Sequence, residues 1–80
     1  MPYYFWFNMR RFSFEKPTAT ITELKAIANA TPGYHTYKEV DGGKDISFGE
    51  GEAVDLTPIK NAEPRFYTVP PATMYRGVHD

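Results

Sequence analysis

The chain opens with an aromatic stretch over residues 3–8 that favours a β-strand. Successive side chains of a strand point to opposite faces, so these aromatic rings divide between two faces. One face carries Tyr3, Phe5 and Phe7, and the other carries Tyr4 and Trp6.

A second alternating stretch follows a plausible turn at residues 8–11. In it, Phe12 and Phe14 alternate with Ser13 and Glu15, which is typical of a half-buried strand. The two stretches together predict a hairpin. Its buried face is formed by Phe5, Phe7, Phe12 and Phe14.

A short helix is predicted from about residue 21 to residue 30. Thr20 and Glu23 have the spacing of a capping box, in which each side chain bonds the backbone N–H of the other residue. The residues at 31–33, Thr-Pro-Gly, end the helix. The apolar stripe is Ile21, Leu24, Ile27 and Ala28. A helix of this length needs tertiary packing, so we expect it to lie on a sheet.

Three more strands are predicted, at residues 34–40, 44–48 and 65–69. A turn at residues 41–43, Asp-Gly-Gly, separates the first two of these. Val54 and Leu56 are apolar anchors in the connection that follows, and residues 57–64 form a polar loop. The residues 16–18 are expected to break the second strand.

The order hairpin, helix, two strands and last strand predicts an α+β protein with the β-grasp fold. We expect a mixed four- to five-stranded sheet with the helix packed across one face. The predicted core consists of Phe5, Phe7, Phe12, Phe14, Leu24, Ile27, Ile46, Val54, Leu56 and Phe66.

Composition excludes several classes of function. Lys and Arg number 9 against 10 Asp and Glu, which argues against nucleic-acid binding through phosphates. The absence of cysteine excludes disulfides, thiolate catalysis and zinc–thiolate sites. No apolar run approaches the roughly 20 residues of a membrane span. We therefore expect a cytoplasmic protein that binds neither membrane nor nucleic acid.

No catalytic chemistry is apparent in the sequence. No nucleophile–base pair or set of cleft-lining residues emerges, so we expect a protein that is not an enzyme and needs no cofactor. The histidines His35 and His79 stand 44 positions apart with no third ligand, which favours surface roles over a metal site.

Two sets of charged residues also fit a solvent-exposed surface better than a binding site. Arg10, Arg11 and Lys16 fit the end of a hairpin better than a phosphate site, because the net charge is −1. The spacing of four acidic residues does not match a calcium-binding loop. These residues are Asp41, Asp45, Glu50 and Glu52.

The C-terminal stretch has a distinct organisation. After the strand at 65–69, Pro70 and Pro71 offer no backbone N–H to a sheet. A small polar tail follows, with Gly77 directly after Arg76. We expect a domain at residues 1–71 and a flexible tail at residues 72–80 that is presented to solvent.

Several segments of this chain resemble the bacterial ubiquitin-like domains known as multiubiquitin domains. The matching segments are residues 20–28 (TITELKAIA), 34–43 (YHTYKEVDGG), 54–56 (VDL) and 65–70 (RFYTVP). With their spacing they span most of residues 3–71. Such domains are encoded beside E1-like enzymes, E2-like enzymes and metallopeptidases.

The resemblance implies a ubiquitin-like protein modifier. Gly77 would be activated by the E1-like enzyme with ATP, passed to the E2-like enzyme and attached to an amine of an unknown target. Tyr75 and Arg76 would serve tail recognition. Ubiquitin ends in two glycines, whereas this tail has one, and three residues follow it. The metallopeptidase would first remove Val78, His79 and Asp80.

The same resemblance implies a bacterial conjugation pathway that forms isopeptide bonds, and antiviral defence is a role that such pathways can serve. Glycine suits the reactive position on chemical grounds as well. It has no Cβ, so its backbone can approach a nucleotide and a nucleophile closely.

Other interpretations stay open at this point. Gly77 is also compatible with a frayed terminus. Tyr4 and Trp6 form either an exposed partner-binding patch or a surface covered by Tyr67 or the tail. The alternative function is a non-covalent β-grasp interaction domain. A weaker one is a small nucleic-acid-binding domain that stacks bases on Tyr4 and Trp6. Self-association of copies is also left open.

Overall fold

The computed structural model describes residues 1–72, which form seven strands and one helix. The N-terminal half contains β1 (Tyr3–Phe7), β2 (Arg10–Phe14), β3 (Thr18–Thr20) and α1 (Ile21–Ala28). The remaining strands are β4 (His35–Lys38), β5 (Ile46–Phe48), β6 (Ala53–Asp55) and β7 (Arg65–Val69).

Five of the strands form one mixed sheet in the order β2-β1-β7-β4-β5. Strands β1 and β7 run parallel, and every other pair of neighbours in this sheet runs antiparallel. The last strand thus occupies the middle of the sheet. The predicted α+β class, with a mixed sheet and one helix, is confirmed.

The hairpin β1–β2 is joined by a turn that is tighter than predicted. Asn8 and Met9 form it with φ angles of 50° and 70°, and Phe7 pairs directly with Arg10. Two-residue turns with both φ angles positive match the right-handed twist of the flanking strands. Asn tolerates this left-handed conformation better than most residues do.

Helix α1 begins with the predicted capping box. The Thr20 N–H donates to Glu23 Oε1 at 2.8 Å, and the Glu23 N–H donates to Thr20 Oγ1 at 3.2 Å. The helix ends at Ala28, two residues before the predicted end, because Asn29 takes a left-handed conformation with φ of 55°.

The core lies between the helix and one face of the sheet. Six of the predicted core residues are buried there: Phe5, Phe7, Leu24, Val54, Leu56 and Phe66. Ile21 and Ala19 join them, and Phe12 and Phe14 pack against this cluster while remaining half-buried. The rings of Phe5 and Phe66 meet edge to face at 6.4 Å, and those of Phe7 and Phe66 stack at 6.3 Å.

The predicted burial of two core residues is wrong. Ile27 is 37% exposed and Ile46 is 47% exposed. At about 100° per helical residue, Ile27 lies about 120° round from Ile21 and at the margin of the buried stripe. Ile46 lies on the outermost strand and pairs in register with Lys38, which gives it no apolar neighbour there.

A lysine that was not predicted to be in the core is buried on the helix face that packs on the sheet. Lys25 lies about 40° round from Ile21 and is buried. Its Nζ donates to the Tyr34 carbonyl at 2.8 Å and to Glu50 Oε2 at 2.6 Å. Burying this charge is tolerated because the two hydrogen bonds, of which the one to Glu50 is also an ion pair, compensate for lost hydration.

A second, two-stranded sheet was not predicted. Strands β3 and β6 pair antiparallel, with Ala19 opposite Val54. The residues that were expected only to interrupt the hairpin strand lead directly into β3. The Leu56 N–H extends the contact by donating to the Pro17 carbonyl at 2.6 Å. This small sheet buries Ala19, Val54 and Leu56 beneath the helix start.

No helix in the described part of the chain is long and apolar enough to cross a lipid bilayer.

The buried Phe5 ring provides a test of the strand register. We expect Phe5→Ala to reduce the free energy of unfolding by about 3–5 kcal/mol, because the ring has no exposed surface and its loss leaves a cavity. Denaturant unfolding followed by circular dichroism measures this change. Ile46→Ala on the exposed edge is the control and should cost far less; equal losses in both variants would contradict the register.

Thr36 provides a test with the opposite sign. Its side chain is 1% exposed, and its hydroxyl has no hydrogen-bond partner among the described residues. Thr36→Val keeps the branched shape and removes this unpaired group, so we expect stabilisation by about 1–2 kcal/mol. Thr20→Val is the control, because it removes the helix cap and should destabilise by about 1 kcal/mol. A destabilised Thr36→Val would show that the hydroxyl has a partner.

Candidate functional site

The sheet has one face that the helix does not cover. Because Phe5, Phe7 and Phe66 point into the core, alternation sends their strand neighbours to the opposite side. We call this opposite side the outer face. Within residues 1–72 it is formed by side chains of all five strands of the main sheet. The sequence-predicted pair Tyr4 and Trp6 lies on it, with Tyr4 39% exposed and Trp6 half-buried.

Two arginines stack on this aromatic pair. The Arg11 guanidinium carbon lies 4.0 Å from the Tyr4 ring centre, and that of Arg65 lies 4.4 Å from the Trp6 ring centre. The register explains the arrangement, because Arg11 and Arg65 both lie opposite Trp6, one from β2 and one from β7. Cations at this distance are attracted to the negative face of an aromatic ring.

Glu63 joins these groups from the loop before β7. Its Oε1 accepts from Trp6 Nε1 and Arg11 Nε, each at 2.9 Å, and its Oε2 accepts from Arg11 Nη2 at 2.5 Å. The hydrogen bond from Arg11 lowers the pKa of the Glu63 carboxyl below its usual range; desolvation opposes that shift, and the bond from Trp6 adds to it. We call Tyr4, Trp6, Arg11, Glu63 and Arg65 the outer-face cluster.

A second polar and aromatic group lies across the same face. Tyr37 and Tyr67 pair in register, and their rings stack with centres 5.5 Å apart. The Tyr67 hydroxyl donates to Asp45 Oδ2 at 2.6 Å, and Asp45 Oδ1 accepts the Val40 N–H at 3.0 Å. These bonds hold the β4–β5 turn against β7.

Hydrogen bonding changes the protonation behaviour of this second group. The bond to Asp45 raises the pKa of Tyr67 to about 12, and the same bond lowers the pKa of Asp45. A groove of about 930 Å³ is lined by the β4–β5 turn, the loop before β7 and the start of β7. Its lining includes Asp45, Ile59, Lys60, Glu63, Arg65 and Tyr67. The arrangement can bind a partner through cationic, aromatic and hydrogen-bonding contacts.

The end of β7 is fixed by a side-chain clamp. Asn8 Nδ2 donates to Thr68 Oγ1 at 2.9 Å, and the Thr68 N–H donates to Asn8 Oδ1 at 2.9 Å. Val69 is 39% exposed, and Pro70 and Pro71 are exposed. The chain therefore leaves the middle of the sheet from a defined point beside the β1–β2 turn.

The tail residues assigned from the sequence lie outside the described part of the chain. These are Tyr75, Arg76, Gly77, Val78, His79 and Asp80. The predicted flexible tail likewise lies outside it from residue 73 onward.

The remaining sequence candidates do not converge on one site. Asp45 bonds Tyr67, Glu50 pairs with Lys25, and Glu52 accepts the Gly49 N–H at 3.1 Å. Arg11 is engaged by Glu63, whereas Lys16 and His35 are exposed on separate elements. Within residues 1–72 no group of three or more His, Asp or Glu side chains is placed to hold a metal ion.

Sequence reasoning missed four residues of this face: Arg11, Glu63, Arg65 and Tyr37. Alternation within β7 already assigns Arg65 and Tyr67 to one face. Alternation does not predict which residues of other strands lie beside them, because that depends on the order of strands in the sheet. Glu63 belongs to a loop and carries no periodic signal at all.

Scans against protein-family models, curated proteins and solved structures found no match to this chain. The residues and their geometry alone therefore bear on function.

The Tyr67–Asp45 bond provides a pH test. Since the folded pKa of Tyr67 is raised from 10.0 to about 12, the stability from this bond is fully present below about pH 10 and is lost as pH rises through about 12. Asp45→Asn should return the Tyr67 pKa toward 10.0 in an NMR titration of the tyrosine ring carbons.

The control for this titration is Asp41→Asn in the same turn. Asp41 is not among the groups that shift the Tyr67 pKa, so this variant should titrate like the wild type. An unchanged Tyr67 pKa in Asp45→Asn would show that the hydrogen bond does not form in solution.

Proposed function

We propose that this chain is a ubiquitin-like protein modifier with a β-grasp fold, joined to target proteins through Gly77. The observation that carries the proposal is the exit of the chain from the body. The central strand β7 ends at Val69 beside the Asn8 clamp, and the side chains of Val69, Pro70 and Pro71 are exposed. A modifier needs its chain to leave the body at an exposed point.

The topology supports the β-grasp assignment. An N-terminal hairpin is followed by a helix, and the last strand inserts parallel to the first, between β1 and β4. The helix packs its apolar stripe on the same face that carries Phe5, Phe7 and Phe66. This order matches the hairpin, helix, two strands and last strand expected from the sequence, with β3 and β6 as a small added sheet.

The chemistry of activation requires a free carboxylate at Gly77. While Val78 follows, the Gly77 carbonyl belongs to an amide, which cannot attack ATP. We therefore propose that a metallopeptidase removes Val78, His79 and Asp80. The E1-like enzyme then joins the Gly77 carboxylate to the AMP part of ATP and releases pyrophosphate. The acyl group passes to the E2-like enzyme with release of AMP, and the amine of the target then displaces the E2-like enzyme. Arg76 carries a fixed charge beside the reactive end, suited to an acidic partner surface, and Tyr75 adds a recognition contact.

The setting of this reaction is also part of the proposal. The resemblance of residues 3–71 to bacterial ubiquitin-like domains supports a cytoplasmic bacterial conjugation pathway, with antiviral defence as its role. In such a pathway the chain is a substrate of other enzymes and performs no catalysis itself.

The proposal is tested with three forms of the protein: the full chain, a chain ending at Gly77, and the full chain with Gly77→Val. Each is incubated with its candidate E1-like enzyme and ATP, without peptidase, and adducts are detected by mass spectrometry. Only the chain ending at Gly77 should form an adduct. With the metallopeptidase added, the full chain should become active, and Gly77→Val should stay inactive.

Equal unfolding curves for the three forms serve as the control, because position 77 lies beyond the strands that form the core. If the full chain and Gly77→Val form adducts as readily as the shortened chain, the modifier proposal fails at this glycine.

A second candidate function is a non-covalent interaction domain, and the outer-face cluster favours it. Aromatic residues and arginine are enriched at the centres of protein interfaces. Base stacking on Tyr4 and Trp6 is less favoured, because Arg11 and Arg65 already stack on these rings. A nucleobase would have to displace a guanidinium or use the opposite ring face.

A further inference from the structure

Strand β2 is an open edge of the main sheet. It is the terminal strand in the sheet order, and within residues 1–72 it pairs with β1 alone. It has five residues, whereas the opposite edge strand β5 has three. An edge strand presents unpaired N–H and C=O groups to which another strand can bind.

The hydrogen bonds of β1 determine which groups of β2 are unpaired. The N–H groups of Trp6 and Asn8 donate toward β7, to the carbonyls of Pro64 at 2.9 Å and Phe66 at 3.0 Å. Backbone groups alternate in direction along a strand, so those of Phe5 and Phe7 point toward β2.

The register then assigns the directions within β2. Phe12 and Arg10 lie opposite Phe5 and Phe7, so their backbone groups point inward to β1. The N–H and C=O groups of Arg11 and Ser13 therefore point away from the sheet, toward solvent.

We propose that β2 pairs antiparallel with β2 of a second copy of this chain, about a two-fold axis centred on Phe12. In this register Arg11 of each copy lies opposite Ser13 of the other, and each such pair exchanges both N–H···O=C bonds. The outward backbone groups of the edge are thereby satisfied, and the two main sheets join into one continuous sheet.

The length of β2 selects this axis. A two-fold axis at Phe12 is the one that pairs every residue of Arg10–Phe14 with a residue of the same strand. An axis at Arg11 would set two Arg11 side chains directly opposite each other. An axis at Ser13 would require the bend at residues 15–17 to take part.

The side chains on this edge are self-complementary. The half-buried Phe12 rings meet across the axis on the helix side, and Arg10 lies opposite Phe14 of the second copy. Arg10 already stands 5.7 Å from the Phe12 ring centre, which shows a guanidinium accommodated beside these rings. Glu63 neutralises Arg11, so the outer-face charges do not oppose pairing. The proposal is independent of the role of Gly77.

Edge pairing buries little area, so the dimer should be weak, with a Kd on the order of 100 µM. Sedimentation equilibrium over a range of concentrations measures it. Ser13→Pro removes an outward N–H without touching the β1–β2 ladder and should weaken dimerisation by at least about tenfold.

The opposite edge offers a matched control. The Glu39 N–H donates to the Arg65 carbonyl at 2.9 Å, so alternation turns Tyr37 toward β7 and Thr36 and Lys38 toward β5. Ser47, opposite Tyr37, then has an outward N–H like that of Ser13. Ser47→Pro should leave the dimer unchanged.

Hydrogen exchange of the wild-type protein tests pairing through β2 even if a proline variant fails to fold. Protection of the Arg11 and Ser13 amides should rise with protein concentration, whereas protection of the Ser47 amide should not. A protein that stays monomeric to about 1 mM, well above that Kd, overturns the proposal. So does equal weakening by the two proline variants, or protection at Arg11 and Ser13 that does not depend on concentration. In the last case an intrachain segment would be the occupant of the edge.

Discussion

The packing of Phe66 against Phe5 and Phe7 is the contact on which the rest of the structure depends. It joins the last strand to the first, with ring centres 6.4 Å and 6.3 Å apart, and the three rings are almost completely buried. Once β7 lies beside β1, its other edge becomes available to β4, and β4 in turn pairs with β5. The contact also closes most of the described chain into one loop, so its formation carries a large cost in chain entropy.

An ion pair between the buried Lys25 and the exposed Glu50 organises the other side of the core. Lys25 extends from the helix to Glu50, and the Glu50 carbonyl accepts both the N–H of Thr22 at 3.0 Å and its hydroxyl at 2.8 Å. The helix start and the loop before β6 are thus held together by polar contacts. A pair with one exposed partner adds little net stability, but removing Glu50 would leave the buried Lys25 charge with the Tyr34 carbonyl as its remaining partner. The interaction therefore specifies where this loop lies rather than how strongly the domain folds.

Local patterns were enough to predict the elements that local physics determines. The aromatic alternation of β1, the capping box of Thr20 and Glu23, and the limits of β7 all depend on near neighbours in sequence. Ile27 was expected in the core but lies at its margin, and the burial of Lys25 was not predicted because it depends on a distant carboxylate, Glu50. Strands β3 and β6 have three residues each, and only their pairing distinguishes them from loops.

The outer face likewise combines features that local sequence predicts with features that depend on distant contacts. Alternation assigned Tyr4 and Trp6 to one side of β1, but their stacking partners come from β2 and β7. Those neighbours follow from the sheet order, which no local pattern contains. Gly77 depends on sequence alone, since it lies outside residues 1–72.

The Asn8 clamp has a mechanical consequence. A pull on the C-terminal segment acts along β7, whose hydrogen bonds to β1 and β4 lie across the direction of pull. The load is then shared by the whole ladder in shear instead of opening one bond after another. The Asn8 side chain binds both the N–H and the hydroxyl of Thr68. Through these two bonds a load on the end of β7 passes to β1 before the last residues of β7 can separate from the sheet. A pull on the C-terminal end would therefore load the pairing of β7 with both of its neighbours at once.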